Sequence, residues 1–174
     1  RAMPEFPDAR LWIIGDGPER SKLEGLTHSL GVAHQVSFFG AVRHPAPILA
    51  AADIFAHCAW AEGMPNSVQE AMAIGLPVVA PKVSGIPEIL THGVNGLLFE
   101  ADDFGSFVQQ LGSVVSGTNR RRNLGRKARV SAESSFMPSR MVKRLITFYR
   151  EVSSENNQGI RSAKNVGEDR GLKV

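Results

Sequence analysis

The chain has little cysteine, tyrosine or tryptophan and no long apolar run. Its 174 residues include one Cys, one Tyr and two Trp. A single thiol cannot close an internal disulfide, which excludes a disulfide-stapled secreted scaffold. No stretch of about 18 apolar residues occurs, which argues against a membrane-spanning helix. Residues 1–7, Arg-Ala-Met-Pro-Glu-Phe-Pro, lack the apolar core of a signal peptide. The expectation is a soluble domain of a reducing, cytoplasmic compartment. His28, His34, His44, His57 and His92 show no metal-ligand spacing, so no metal is expected.

What is present is a globular composition, 43% apolar with 17 Gly and 10 Pro. That length and composition suffice for one real core. Charge is divided unevenly although the net is only +3. Residues 1–118 carry 6 Lys and Arg against 12 Asp and Glu, and residues 119–174 carry 14 against 5. Such a basic block reads first as a solvated helical face and second as a weak contact with an anionic membrane, peripheral to its inner face. Its cations are interleaved with few aromatics, which argues against nucleic acid as a partner.

Short strands alternate with helices along the first hundred residues. Residues 10–14 form an apolar run ended by Gly15-Asp16-Gly17-Pro18, a strand entering a turn. Leu23, Leu26 and Leu30 fall at helical spacing before Gly31. Further strands are expected at 36–39, 54–58, 77–80 and 96–99, and further helices at about 45–52, 67–74 and 86–90. Cys58, at the end of an apolar run, reads as a small buried side chain. This alternation implies an α/β fold, a Rossmann-like doubly wound parallel sheet, with additional C-terminal helices. Beyond residue 100 the strands stop. Phe104, Phe107, Val108, Leu111 and Val115 mark a helix behind Asp102 as N-cap, followed by helices at about 119–133 and 139–151. The second of these sets Met141, Leu145, Phe148 and Tyr149 on one side. Residues 1–152 are expected to form one domain, and residues 153–174 a disordered polar tail.

In an open α/β sheet, ligands bind beyond the carboxyl ends of the strands. The loop after residues 54–58 occupies such an end and carries Trp60, Glu62, Gly63, Met64 and Pro65. Asn66 suits an N-cap, and Gln69 follows three residues later as in a capping box. The first amides of the helix, at Asn66, Ser67 and Val68, would face an anion such as a diphosphate. Glu70 is placed to accept hydrogen bonds from vicinal sugar hydroxyls. Two carboxylates would repel a bare phosphate, so the pattern suits a nucleotide-sugar better than a simple phosphate.

Glu62-Gly63-Met64-Pro65-Asn66-Ser67-Val68-Gln69-Glu70-Ala71-Met72-Ala73-Ile74-Gly75-Leu76-Pro77-Val78-Val79-Ala80 resembles the signature of the group 1 (family 4) retaining glycosyltransferases of the GT-B fold. Ile14-Gly15-Asp16-Gly17-Pro18, Phe38-Phe39-Gly40, Ala52-Asp53-Ile54, Gly85-Ile86-Pro87-Glu88 and Gly93-Val94-Asn95-Gly96-Leu97-Leu98 match that family in order and spacing. The resemblance covers about residues 9–150 and points to the C-terminal, donor-binding domain. It implies that Glu62 is catalytic and contacts the transferred sugar. It implies that the amides of Gly63, Met64, Pro65, Asn66 and Ser67 surround sugar hydroxyls and phosphate, that Glu70 holds the ribose, and that Val42 lies against the base. (Pro65 has no amide hydrogen and enters as a stiffener of that loop.) The implied reaction moves a hexose-type sugar from a nucleoside diphosphate sugar to an acceptor with retention. No metal and no cofactor are implied, the donor being a substrate.

Two departures from the family carry consequences. His57-Cys58-Ala59-Trp60 stands where members often have Pro-Ser. The family's opening strand, with its Gly-Arg and following Lys on the diphosphate, has no counterpart in residues 1–8, nor does the N-terminal domain that takes the acceptor sugar or lipid. Without the opening strand, residues 10–14 must pair directly with residues 54–58 or leave two open edges. The chain alone is therefore expected to be inactive and prone to self-association. The alternative reading is a non-catalytic remnant, or an assembly module whose sheet a partner chain completes.

Overall fold

The apolar runs before Gly15 and Gly40 become strands, and the helically spaced apolar residues at 104–115 become a helix. The computed structural model describes residues 3–60, 63–137 and 139–153. They fall into two compact units, residues 1–132 and residues 133–174. A single 3-10 turn at Met3–Glu5 precedes β1 (Leu11–Ile14), α1 (Arg20–Ser29), a second such turn, and β2 (Val36–Gly40). Then come α2 (Ala46–Ala50), β3 (Phe55–Ala56), α3 (Asn66–Ile74), β4 (Val78–Pro81) and α4 (Ile86–Ile89). The order closes with β5 (Leu97–Phe99), α5 (Phe104–Val115) and α6 (Thr118–Ser135).

Among the described residues all strand pairs are parallel, as the α/β alternation requires, but they form two sheets. β1 pairs with β2, Leu11 opposite Val36 and Ile13 opposite Phe38. β4 lies between β3 and β5, with Phe55 opposite Val78 and Val79 opposite Leu97. Of the two outcomes foreseen for residues 10–14 and 54–58, the structure adopts open edges: among the described residues β1 pairs only with β2, and β3 only with β4. This corrects the extent of the third strand. One neighbour supplies ladder bonds to β3, and it closes after two residues rather than the five expected at 54–58.

The core sits around β4, whose four residues are all buried. Val79, Leu97, Phe99, Val114 and Leu124 pack together, with Ile54 and Phe107 against them. Phe99 and Phe107 meet edge to face, ring centroids 5.1 Å apart. Buried on both faces, β4 and β5 can be apolar throughout, as their sequences are. α1, in contrast, has no fully buried residue, and Leu23, Leu26 and Leu30 stay more than a third exposed.

Three long-range devices hold the helices around this core. Asn95 is buried: its Oδ1 accepts from the Thr91 amide at 2.6 Å, and its Nδ2 donates to the Ile89 carbonyl and to Ser131 Oγ, each at 3.1 Å. One side chain thus ties the exit of α4 to α6. Arg121 donates to the carbonyls of Val114 and Val115 at 3.2 and 3.1 Å, placing a cation where α5 ends. The third device is close approach: a Cβ on Gly125 of α6 would overlap the carbonyl oxygen of Gly75. Gly75 terminates α3 with φ +90°, a left-handed conformation that favours glycine.

The cap of α5 differs from expectation. Asp103, not Asp102, is the N-cap; its backbone is extended and its Oδ1 accepts from the Ser106 amide at 2.9 Å. Capping requires the carboxylate three residues before the amide it receives, and Asp103 meets that spacing.

In the second unit, residues 139–153 are helical, and Arg140 Nη1 donates to the Ser134 carbonyl at 2.8 Å. Met141, Leu145, Phe148 and Tyr149 are exposed. Ser153, assigned to the disordered tail, is helical, and the rest of that tail, residues 154–174, lies outside the described residues. Among the described residues no helix is long and apolar enough to cross a membrane.

Candidate functional site at the carboxyl end of β3

The expected site residues all follow the carboxyl ends of strands. β2 stops at Gly40, whose φ of +69° turns the chain and whose carbonyl accepts from the Gly15 amide at 2.8 Å. Val42 comes two residues later in that loop, half-buried. The neighbouring Gly15-Asp16-Gly17-Pro18 segment is a turn, as expected: Asp16 Oδ1 accepts from the Gly17 amide at 2.8 Å.

β3 leads through residues 57–65 into α3. Trp60 and Met64 are exposed, at 68% and 48%, while Pro65 is buried. Trp60 therefore presents its ring outward instead of packing into the loop. Cys58 also departs from expectation: it is exposed, although the surrounding protein still desolvates it enough to push its thiol above the ordinary value. Ala56 and Cys58 are both exposed while His57 between them is half-buried, so Cys58 lies on the outward side of the strand's alternation. Glu62, the expected catalytic residue, lies outside the described residues.

The start of α3 requires a second correction. Asn66 is not the N-cap; it is the first helical residue, and Pro65 holds the cap position at φ −69° and ψ 116° without a side-chain cap bond. The extended ψ leaves Pro65 outside the helix while Asn66 is already helical, so the helix begins one residue earlier than the capping pattern suggests. The first bond returning to this turn runs from the Gln69 amide to the Pro65 carbonyl at 3.3 Å. The amides of Asn66, Ser67 and Val68 precede it and form the positive end of a nine-residue helix. Val68, Ala71 and Met72 face the core, whereas Asn66 and Glu70, one turn apart, are both exposed. The structure thus groups an exposed glycine, three helix-start amides and an exposed carboxylate on one strand-to-helix connection. That grouping can bind an anion and hydroxyl groups side by side.

A contact that periodicity did not reveal supports this loop. The Gly85 amide, just before α4, donates to the Gly63 carbonyl at 3.1 Å. Beyond β4, Lys82 pairs with Glu100 at 3.3 Å. Among the described residues no three His, Cys, Asp or Glu side chains are grouped so as to hold a metal ion.

Parallel strands with crossover helices and a ligand-type loop at their carboxyl ends define one Rossmann-like half of a GT-B protein. Comparison with known proteins agrees. The family model "Glycosyl transferases group 1" matches residues 1–116. The chain is 32% identical to N-acetyl-alpha-D-glucosaminyl L-malate synthase of Bacillus anthracis over 87% of its own length and 40% of that protein's. It is 31% identical to the lipopolysaccharide core biosynthesis glycosyltransferase LpsE of Rhizobium meliloti, over 78% of this chain and 40% of the relative. Among solved structures, HepE of Anabaena in complex with UDP superposes with a TM-score of 0.81 at 25% identity, covering 86% of this chain and 43% of HepE. A second HepE structure, with UDP-glucose, gives 0.79 at 26% identity. The chain belongs to the group 1 glycosyl transferases, and it spans about two fifths of the length of these relatives.

Proposed function

We propose that this chain is the donor-binding part of a glycosyltransferase that moves a hexose-type sugar from a nucleoside diphosphate sugar to an acceptor with retention of configuration. The observation that carries this reading is the β3–α3 connection. Its three leading amides suit the donor's diphosphate, and the exposed Glu70 suits the ribose hydroxyls. HepE, solved with UDP and with UDP-glucose, supports the ligand class by analogy. In this reading Glu62 contacts the transferred sugar, Gly63, Met64, Asn66 and Ser67 offer amides, Pro65 stiffens the loop, and Val42 abuts the base. The bond from the anomeric carbon to the phosphate oxygen breaks, and the nucleoside diphosphate departs with its electron pair. The acceptor hydroxyl forms the new bond on the same face and gives up its proton to the departing diphosphate. Oriented amides stabilise the growing diphosphate charge without a metal or cofactor. The acceptor, a sugar or lipid, is held by a domain outside this chain, in a cytoplasmic enzyme that touches an anionic membrane weakly through its basic part.

The test is donor binding by the full-length protein that carries this chain. Uridine or guanosine diphosphate sugars are expected to raise its melting temperature in the presence of a chelator, by about 3 kcal/mol equivalent at a hundredfold excess over Kd. No shift with either at millimolar concentration overturns the assignment. Retention is read from the anomeric configuration of the product by NMR.

The open edges of β1 and β3 favour a second reading, an assembly module whose sheet another chain completes. Sedimentation of this segment with and without a separately produced N-terminal half discriminates the two. Stable co-assembly supports a split enzyme, whereas concentration-dependent self-association that the other half does not suppress supports a module.

A further inference from the structure

Gly85 lies outside the β3–α3 loop, yet it sets that loop's shape. Its amide donates to the Gly63 carbonyl at 3.1 Å. A Cβ at position 85 would overlap that carbonyl oxygen and stand 3.3 Å from the Gly63 carbonyl carbon and 3.7 Å from Met64 Cα. The obstacle is backbone, with no flexible side chain to swing away. Gly85 itself adopts φ −76° and ψ −3°, an ordinary helical conformation open to any residue. The need for glycine here comes from the approach of residue 63 and from nothing local. The preceding Ser84 sits at φ +49°, the one described non-glycine residue with positive φ, and this turn aims the Gly85 amide at the loop.

We infer that Gly85 is a positioning residue for donor binding: by fixing the Gly63 carbonyl, it orients the Gly63–Met64 peptide toward the ligand. The peptide unit is planar and trans, so its N–H points opposite to its C=O. With the Gly63 carbonyl drawn to Gly85, the Met64 amide is turned to the other side. This amide then precedes those of Asn66, Ser67 and Val68 as a donor whose direction is set before any ligand arrives. Preorganisation of this kind lowers the cost of ordering the loop on binding. The inference rests on the donor-site reading above and deepens it.

The test compares Gly85→Ala and Ser84→Gly with the unmodified full-length protein, measuring calorimetric affinity for UDP-glucose and GDP-mannose together with the melting temperature. Gly85→Ala is expected to weaken whichever donor binds by roughly tenfold or more, since misplacement by about 1 Å is costly at a preorganised site. Its melting temperature should fall by a few degrees at most, because the segment that must yield, Gly63–Met64, is exposed. Ser84→Gly keeps the Gly85 contact and is expected to bind within about twofold of the parent. Equal donor affinity in Gly85→Ala and the parent overturns the inference, while failure of the parent to bind either donor overturns the donor-site reading instead. Hydrogen exchange on the unmodified protein serves if Gly85→Ala does not fold. Donor should slow the Gly85 amide along with those of Gly63, Met64, Asn66, Ser67 and Val68, and protection of these without Gly85 overturns the inference.

Discussion

Gly125→Ala is expected to lower the melting temperature by about 6 °C, whereas the same substitution at Gly25 raises it slightly. Both glycines lie inside helices, Gly25 in α1 and Gly125 in α6. Alanine gains roughly 1 kcal/mol over glycine in an exposed helix interior, from backbone entropy. At Gly25 nothing lies within 4 Å of a built Cβ, so that gain is realised. At Gly125 the Cβ would overlap the Gly75 carbonyl oxygen and stand 3.1 Å from its carbon and 3.4 Å from Pro77 Cδ. Gly75, held at φ +90° by its two helix-terminating bonds, cannot retreat without opening the end of α3. Overpacking of this kind costs about 1–3 kcal/mol, and more where backbone must move. We expect a net loss of about 2 kcal/mol, and each kcal/mol corresponds to about 2–4 °C in a chain of this size. Denaturant melts of both variants provide the measurement, and equal midpoints for Gly125→Ala and the parent would sink the packing argument.

Glu70→Ala is expected to weaken donor binding about a hundredfold while leaving the melting temperature of the free protein within about 1 °C. Glu70 projects from the exposed side of α3, and no hydrogen bond or ion pair from its side chain occurs among the described residues. Its removal therefore takes little from the fold. Toward a ribose, a carboxylate accepts from both vicinal hydroxyls, and hydrogen bonds to a charged group contribute about 1.5–3 kcal/mol. Loss of about 2.7 kcal/mol is a factor of one hundred in Kd. Glu70→Gln keeps one acceptor oxygen and should fall between the two. If Glu70→Ala binds donor like the parent, Glu70 does not hold the ribose; if the unmodified protein binds none, the site itself is wrong.

Much of this architecture is legible in the order of residues. The Gly15, Gly40 and Gly75 stops, the apolar runs before them and the periodicity of residues 104–115 specify strands and helices because each signal acts over a few bonds. The Glu62–Ala80 run and the ordered segments around it place the chain in its family for the same reason: the connection after β3 is continuous in sequence. Sequence pattern and structure diverge where the deciding partner is distant or where two neighbours compete. Asp102 and Asp103 are both good caps by type, and only the direction of the Ser106 amide selects the second. Asn66 is a better N-cap than proline by type, yet its own backbone is already helical and the extended Pro65 takes the position. Cys58 is apolar in pattern but exposed, because it shares the outward side of the chain with Ala56 while His57 turns inward.

By itself, then, the sequence determined the α/β alternation, the loop at the end of β3 and the glutamate spacing across it. Only the tertiary structure decided that the parallel strands β1 to β5 divide into two sheets, that Asn95 joins α4 to α6, and that Gly85 and Gly125 must be glycine. Turn chemistry and periodicity are properties of neighbouring residues. The space left for a Cβ is set by backbone 22 residues away at Gly85 and 50 away at Gly125, and the chain specifies it only once folded.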